Sequence, residues 1–309
     1  MKKIYIIHEN DEWTQPLIEA LEELGAPYES WFIHEGHIDL TETPPNGVFY
    51  NRMSASSHSR GHRYAPELTS TILAWLEEHE RLVLNGSHAL DLEINKARQY
   101  TALQKAGIRT PQTMVTVGKE QMIEGAHQME KPFITKHNRA GKGLGVQLFQ
   151  SVEALESYVN SNEFEEPIDG ITLLQQYVES PDSTITRCEF IDGKFFYAVK
   201  VDTSEGFELC PADACSIEDQ FCVTTENTRE KFQIIENFAD PIIHKYEKFL
   251  KDNGIDFAGI EFIQNNNDEI FTYDVNTNTN YNSDAELKVG QYGMKQIAKV
   301  LNNYLQKLD

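Results

Sequence analysis

The sequence predicts a mixed fold, an open α/β unit followed by α+β architecture, and three observations predict it. Short apolar strands alternate with amphipathic helical segments from Lys3 to Gly86. From Thr113 onward the strands follow one another with only short helices between them. Asp192-Gly193 and Asn265-Asn266-Asn267-Asp268 are turn sequences set between β-branched and aromatic runs, the mark of antiparallel hairpins.

Taken in order, Lys3 to His8 is a short apolar strand, and Leu17, Ile18, Ala20, Leu21 and Leu24 have helical spacing up to Gly25. Strands over Tyr28–Ile33 and Gly47–Tyr50 follow, then a helix over Pro66–His79 and a strand at Leu82-Val83-Leu84. This order predicts an open sheet with right-handed crossovers, whose ligands bind beyond the strand C-termini. Asn51-Arg52-Met53-Ser54 stands at such an end, so Arg52 is either an anchor for an anionic substrate group or a surface loop arginine. Ser57-His58-Ser59-Arg60-Gly61-His62-Arg63 extends the same loop with basic residues.

A helix over Asp91–Ala106 ends at Gly107, and Pro111 forces an extended connection. A small α+β unit follows: strands at Thr113–Val117, Phe133–Lys136, Gly145–Phe149 and Ile171–Val178, with a helix over 152–160. Thr184–Ile191 and Lys194–Val201 form a hairpin, and a polar, acidic connection runs from Asp202 to Asn227. Phe232 to Asp252 reads as mostly helical, and Ile297, Val300, Leu301, Tyr304 and Leu305 mark a last amphipathic helix. Expected domains are 1–94, 95–178 and 179–309.

Between them lies the hairpin 256–263 with 269–276. If the turn pairs Gln264 with Glu269, then Glu261 faces Thr272, and side chains two apart share a face. Glu261, Asp274 and Asn276 then point the same way, as hard oxygen ligands suited to Mg²⁺. A solvated hairpin face is the other reading, and a one-residue slip would put Glu261 on the opposite side.

Composition bounds the function. Against 27 Lys and Arg stand 49 Asp and Glu, a net charge of −22 that argues against non-specific nucleic-acid and anionic-membrane binding. No apolar run approaches spanning length, and Cys188, Cys210, Cys215 and Cys222 lack C-x-x-C spacing, so a reducing cytoplasm is expected. Three cysteines between 210 and 222 could bind a soft metal or be ordinary thiols.

Lys136-His137-Asn138-Arg139-Ala140-Gly141-Lys142-Gly143-Leu144-Gly145 places three glycines between two strands. Successive N–H groups in such a loop can cradle phosphate oxygens, with Lys136 as a point charge; a flexible turn is the alternative. It is neither a Walker A loop nor a dinucleotide fingerprint, because no helix starts at Gly145.

Lys96, Lys136 before the glycine loop, Leu173-Leu174-Gln175-Gln176-Tyr177-Val178-Glu179, Arg187, and Glu261 with Asp274-x-Asn276 occur in an order that resembles the ATP-grasp superfamily. Within it the chain is most similar to the RimK-like glutamate ligases and to glutathione-synthetase-like enzymes. The resemblance covers nearly the whole chain and implies an ATP-grasp fold behind an N-terminal pre-ATP-grasp open α/β domain. It implies that Lys96 and Lys136 contact ATP phosphates under a loop of Gly141, Gly143 and Gly145. Gln176, Tyr177 and Val178 would read adenine, and Glu179 the ribose. Glu261, Asp274 and Asn276 would hold Mg²⁺, for which Mn²⁺ can substitute. Arg187 would grip a carboxylate or the moving phosphoryl group, and Lys200 and Arg52 would hold substrate. Two segments depart from the family pattern, 206–215 and Thr277-Asn278-Thr279-Asn280-Tyr281-Asn282, where the acceptor should bind.

The implied activity is carboxylate–amine ligation through an acyl phosphate, on an amino acid or a peptide, with self-association left open. A small-molecule kinase using the same clamp, and a protein that binds ATP without turnover, are the rivals.

Overall fold

The structure is a computed structural model that describes residues 2–141, 143–204 and 231–308. Its first sheet is parallel in the order β2-β1-β3-β4, from β1 (Lys3–His8), β2 (Tyr28–Phe32), β3 (Gly47–Asn51) and β4 (Leu82–Leu84). A parallel sheet covered on both faces needs strands apolar on both faces, and β3 is buried along its whole length. Ile4, Ile6, Val48 and Tyr50 pack under α1 (Asp11–Glu23) and the distant α9 (Gly293–Lys307). Tyr5, Ile7 and Phe49 pack on the other side with Leu73 and Leu76 of α2 (Ala65–Glu78). The alternation follows from the two-residue side-chain period of a strand.

Instead of one helix over 91–106, there are two: α3 (Ser87–Glu93) and α4 (Lys96–Lys105). Asn95 separates them, because its extended backbone and its side chain, which accepts from the Arg98 N–H, make it an N-cap. Both helices pack on the third sheet, with Ala89, Leu92, Tyr100 and Leu103 in its core.

The second sheet is antiparallel in the order β5-β8-β6-β7, built from β5 (Thr113–Thr116), β6 (Phe133–His137), β7 (Gln147–Phe149) and β8 (Thr172–Gln176). Helices α5 (Lys119–Ala126) and α6 (Val152–Val159) back it through Met122, Phe133, Leu155 and Leu174.

The third sheet is antiparallel in the order β11-β10-β9-β12-β13. Its strands are β9 (Thr184–Ile191), β10 (Lys194–Asp202), β11 (Phe232–Ile235), β12 (Phe257–Gln264) and β13 (Ile270–Asn276). The β9–β10 turn has Asp192 and Gly193 at φ of 56° and 66°, the doubly left-handed turn that Asp-Gly favours. Phe232–Ile235 is therefore an edge strand rather than the start of a helix, and α7 begins only at Ile242 and runs to Asp252. One face of this sheet, with Cys188, Phe190, Ala198 and Ile260, is the core under α7 and α4. The other carries Arg187, Glu189, Glu261 and Asp274, since cross-strand partners share a face.

A short helix not foreseen from the sequence, α8 (Ser283–Val289), precedes α9, which packs mainly on α1 and the first sheet and also touches β9. No helix of the described residues is long and apolar enough to cross a membrane. Cys188 is buried, whereas Cys210, Cys215 and Cys222, with the acidic connection, lie outside the described residues.

Candidate active site

The hairpin brings its two carboxylates together by a route the parity argument did not foresee. The turn pairs Gln264 with Ile270 rather than Glu269, which by itself would set Glu261 opposite Tyr273 and turn it away. A β-bulge between Glu261 and Phe262 restores the alignment, so that Glu261 pairs with Asp274 and Gly259 with Asn276. The three oxygen-bearing side chains do share a face, and Asn276 Nδ2 lies 3.4 Å from Glu261 Oε1.

This face looks onto a cavity of about 370 Å³ between the second and third sheets. Lys96, at the first turn of α4, donates to Asp274 Oδ1, and its helix is held to β13 by side chains. Gln99 exchanges hydrogen bonds with the backbone of Val275, and Tyr100 Oη donates to the Tyr273 carbonyl at 2.8 Å. These contacts cover an edge strand that would otherwise expose its backbone groups. Lys136, at the end of β6, reaches the Tyr100 hydroxyl and the Tyr273 carbonyl, each at 3.3 Å, and sits over the Tyr273 ring. Burial by itself would push Asp274 up, but the neighbouring ammoniums of Lys96 and Lys136 hold its carboxyl below the ordinary range.

Arg187 is almost fully buried. Its Nη1 donates to Glu261 Oε1 at 2.8 Å, its Nε to Glu189 Oε1 at 2.5 Å and its Nη2 to Thr279 Oγ1 at 2.7 Å. Burial pushes Glu189 up, with Arg187 pulling against it, and burial opposes the charge on Arg187 while both carboxylates hold it protonated. Sequence reasoning missed Glu189 and Thr279. Glu189 had a signal, because it stands two residues from Arg187 on one strand and so shares its face; Thr279 was marked only as part of the departing segment 277–282, with no sign that it meets Arg187.

The cavity's other walls are the segment Gln176, Tyr177, Val178 and Glu179, the loop residues Gly141 and Gly143, and apolar side chains including Ile134, Val146, Ile185 and Ile263. Gly145 does not line it. It holds φ at 72°, and a Cβ there would lie 2.1 Å from the His137 ring, so it is a turn residue packed on that imidazole. Lys142 lies outside the described residues. The loop rests against α2 and the segment before it: Arg139 bonds Glu67 and the Arg63 carbonyl, and a Cβ on Gly141 would approach Ser56 at 3.3 Å.

Two expected substrate residues are placed elsewhere. Lys200 pairs in register with Thr186, one residue off the cavity-facing set, and is tied to Asp182. Arg52 is 2% exposed and does not line the cavity. It donates to the Trp13 carbonyl at 3.1 Å and to Asn280 Oδ1 at 3.0 Å, pinning the segment after β13 to the first sheet.

A RimK-like ATP-grasp domain model matches residues 93–209. The alpha-aminoadipate–LysW ligase LysX of Sulfurisphaera tokodaii is 29% identical over 131 residues, which are 42% of this chain and 43% of that protein. A probable alpha-L-glutamate ligase of Desulfotalea psychrophila is 25% identical over 201 residues, 62% of this chain and 42% of that one. The chain thus spans less than half the length of these curated relatives. Among solved structures, the ATP-grasp ligase PsnB with a minimal precursor aligns with a TM-score of 0.68 at 15% identity, covering 97% of this chain and 99% of PsnB. The lysine-bearing helix, the glycine loop and the arginine strand all fall inside the segment that the RimK-like model matches, and the chain as a whole shares the fold of the ATP-grasp ligase PsnB.

Proposed function

We propose that this protein is an ATP-dependent carboxylate–amine ligase that forms an amide through an acyl phosphate. The observation that carries the reading is the convergence on one cavity wall of three cations, Lys96, Lys136 and Arg187, with three hard oxygen donors, Glu261, Asp274 and Asn276. Cations alone would serve any anion, and carboxylates alone any cation; the combination suits a polyphosphate with its metal.

The donor set fits Mg²⁺. Arg187 and Asn276 both bond Oε1 of Glu261, and Lys96 bonds Oδ1 of Asp274, so among the described residues the other carboxylate oxygens take no hydrogen bond from a lysine or arginine. Among those residues no cluster of three or more His, Cys, Asp or Glu could hold a metal ion, which agrees with an ion that takes its remaining ligands from phosphates. When bound, Mg²⁺ would neutralise charge on the phosphates.

The chain's own residues do the rest. Backbone groups of Gln176, Tyr177 and Val178 read adenine against Ile134 and Ile263, and Glu179 takes the ribose hydroxyls. Lys96 and Lys136 hold the phosphates, and the 141–145 loop covers them with its amides. A substrate carboxylate attacks the γ-phosphorus; Arg187 and Lys136 stabilise the charge that develops, and ADP leaves. An amine then displaces phosphate from the acyl phosphate. The covering loop and the apolar walls keep water from it first. The substrate class, an amino acid or a peptide, is suggested by the names of the relatives. Neither Arg52 nor Lys200 is assigned to substrate.

The test is Mg·ATP with a mixed pool of amino acids and dicarboxylates plus hydroxylamine, followed by mass spectrometry. A hydroxamate dependent on ATP and one acid is expected; a phosphorylated hydroxyl with no hydroxamate would replace the ligase with a kinase. Asp274→Asn, which keeps the shape but removes the charge that binds metal, should lower turnover at least ~100-fold. Alanine is the poorer probe, because it strips a nearly buried Lys96 of its partner.

A further inference from the structure

The Arg187 guanidinium is seated in a fitted slot. A Cβ on Gly259 would stand 2.4 Å from its Nη2 and 2.6 Å from its Cζ and Nε, so the guanidinium lies against the bare backbone of β12. Gly259 has no positive φ, so close approach rather than conformational freedom is what glycine provides here. Around the rim, the hydrogen bonds run in one consistent direction. Nη2 donates to Thr279 Oγ1, and the Thr279 hydroxyl proton goes on to Glu189 Oε2 at 2.6 Å, while Glu189 Oε1 accepts from Nε. Glu261 accepts from Nη1 on the remaining side. Three of the five guanidinium N–H groups are thereby fixed, one on each Nη is left for a ligand, and Arg187 lines the cavity.

We propose that Gly259, Glu189 and Thr279 preset the Arg187 guanidinium, with Glu189 and Thr279 as positioning residues whose effect on the reaction is exerted through it. The segment that carries Thr279 is itself held on two sides. Glu93, buried, accepts from the Thr277 backbone N–H at 2.7 Å, and Asn280 accepts from Arg52. The hydroxyl therefore does not wander with a loose turn, and the arginine enters the reaction already oriented. This matters because an error of about 1 Å in a reacting group can cost on the order of 100-fold. The effect on turnover rests on the ligase reading; the slot itself does not.

Thr279→Val keeps the shape and removes both hydrogen bonds, Thr279→Ser restores the hydroxyl, and Gly259→Ala pushes the guanidinium out of its seat. The first readout is solvent exchange of the Arg187 Nε–H resonance, assigned by its loss in Arg187→Lys. It should speed at least ~10-fold in Thr279→Val and stay near the wild-type rate in Thr279→Ser. The second is steady-state hydroxamate formation. In Thr279→Val kcat should fall roughly 10- to 100-fold with the KM for ATP within about twofold, and Thr279→Ser should recover it. Unchanged exchange in Thr279→Val would overturn the slot, and faster exchange with unchanged kcat would overturn the positioning role. A wild-type protein that shows the protected resonance but makes no hydroxamate would keep the slot and remove the ligase reading. Should Gly259→Ala fail to fold, the threonine pair decides alone.

Discussion

Single side chains join the separate sheets, and Asn85 shows how. Its backbone sits at φ 53°, a left-handed position that asparagine tolerates, and its side chain accepts from the Asp256 and Phe257 N–H groups and donates to the Phe257 and Thr277 carbonyls. In return, the Asn85 N–H donates to Asp256 Oδ2 at 2.9 Å. Burial pushes Asp256 from its ordinary 3.8 up to about 6, with Asp192 adding to the rise. Between those values the folded chain keeps a proton that the unfolded chain has released, so stability falls as pH rises through this window. The cost is on the order of 1–3 kcal/mol, and denaturant titrations at several pH values should show Asp256→Asn flattening that slope. Burial raises Glu286 from its ordinary 4.5 to about 7, so Asp256→Asn should keep a residual slope of the same sign between those values. At this scale the sequence grouped Glu261, Asp274 and Asn276 on one face through a pairing the chain does not adopt, and it is the bulge rather than strand parity alone that brings them together. Lys96 was found by resemblance alone, because a lysine at a helix start carries no local sign of the carboxylate it meets 178 residues on. The strand-end position of Arg52 was legible, whereas the residues that bury it, Trp13, Asn280 and Met294, come from distant parts of the chain.

Elements were legible where local chemistry decides them and misread where tertiary contacts do. The Asp-Gly hairpin and the parallel first sheet could be read directly. The helix through 91–106 was split by an N-cap in the middle of a helical pattern, and β11 was mistaken for helix because four residues are too few to fix a period. The bulge in β12–β13 left no sequence mark, yet it determines which way Glu261 points. Helix α9 was recognised as amphipathic, but its partner could not be read. Its apolar stripe, including Ile297, Ala298, Leu301 and Leu305, lies on the first sheet with Ile4, Leu17 and Tyr50. Leu301 is fully buried, and Leu301→Ala should destabilise the fold by about 2–5 kcal/mol, read from the denaturation midpoint. An exposed α9 residue such as Lys299 should tolerate alanine within about 0.5 kcal/mol.

At the scale of the whole molecule, the glycine loop is held by a helix that does not belong to its own sheet. Arg139 is mostly buried, and Glu67 of α2 bonds it through both carboxylate oxygens, at 2.7 and 3.2 Å. The Arg63 side chain, just before α2, reaches back to the Ile168 carbonyl. Glu67 is half exposed, so Glu67→Ala should shift the thermal midpoint by only a few degrees. It should raise the KM for ATP several-fold and increase ATP hydrolysis uncoupled from product, measured as the ratio of ADP to amide. The packing of α9 on β1 and β3 has a consequence for how the protein is made. The Lys2 ammonium donates to the Leu308 carbonyl across 306 positions of sequence, and the α1 and first-sheet surfaces that α9 covers are made long before it. During synthesis that surface has no α9 to cover it until the last residues are made, so a nascent chain halted before Gly293 should display the apolar face to chaperones or to other copies of itself.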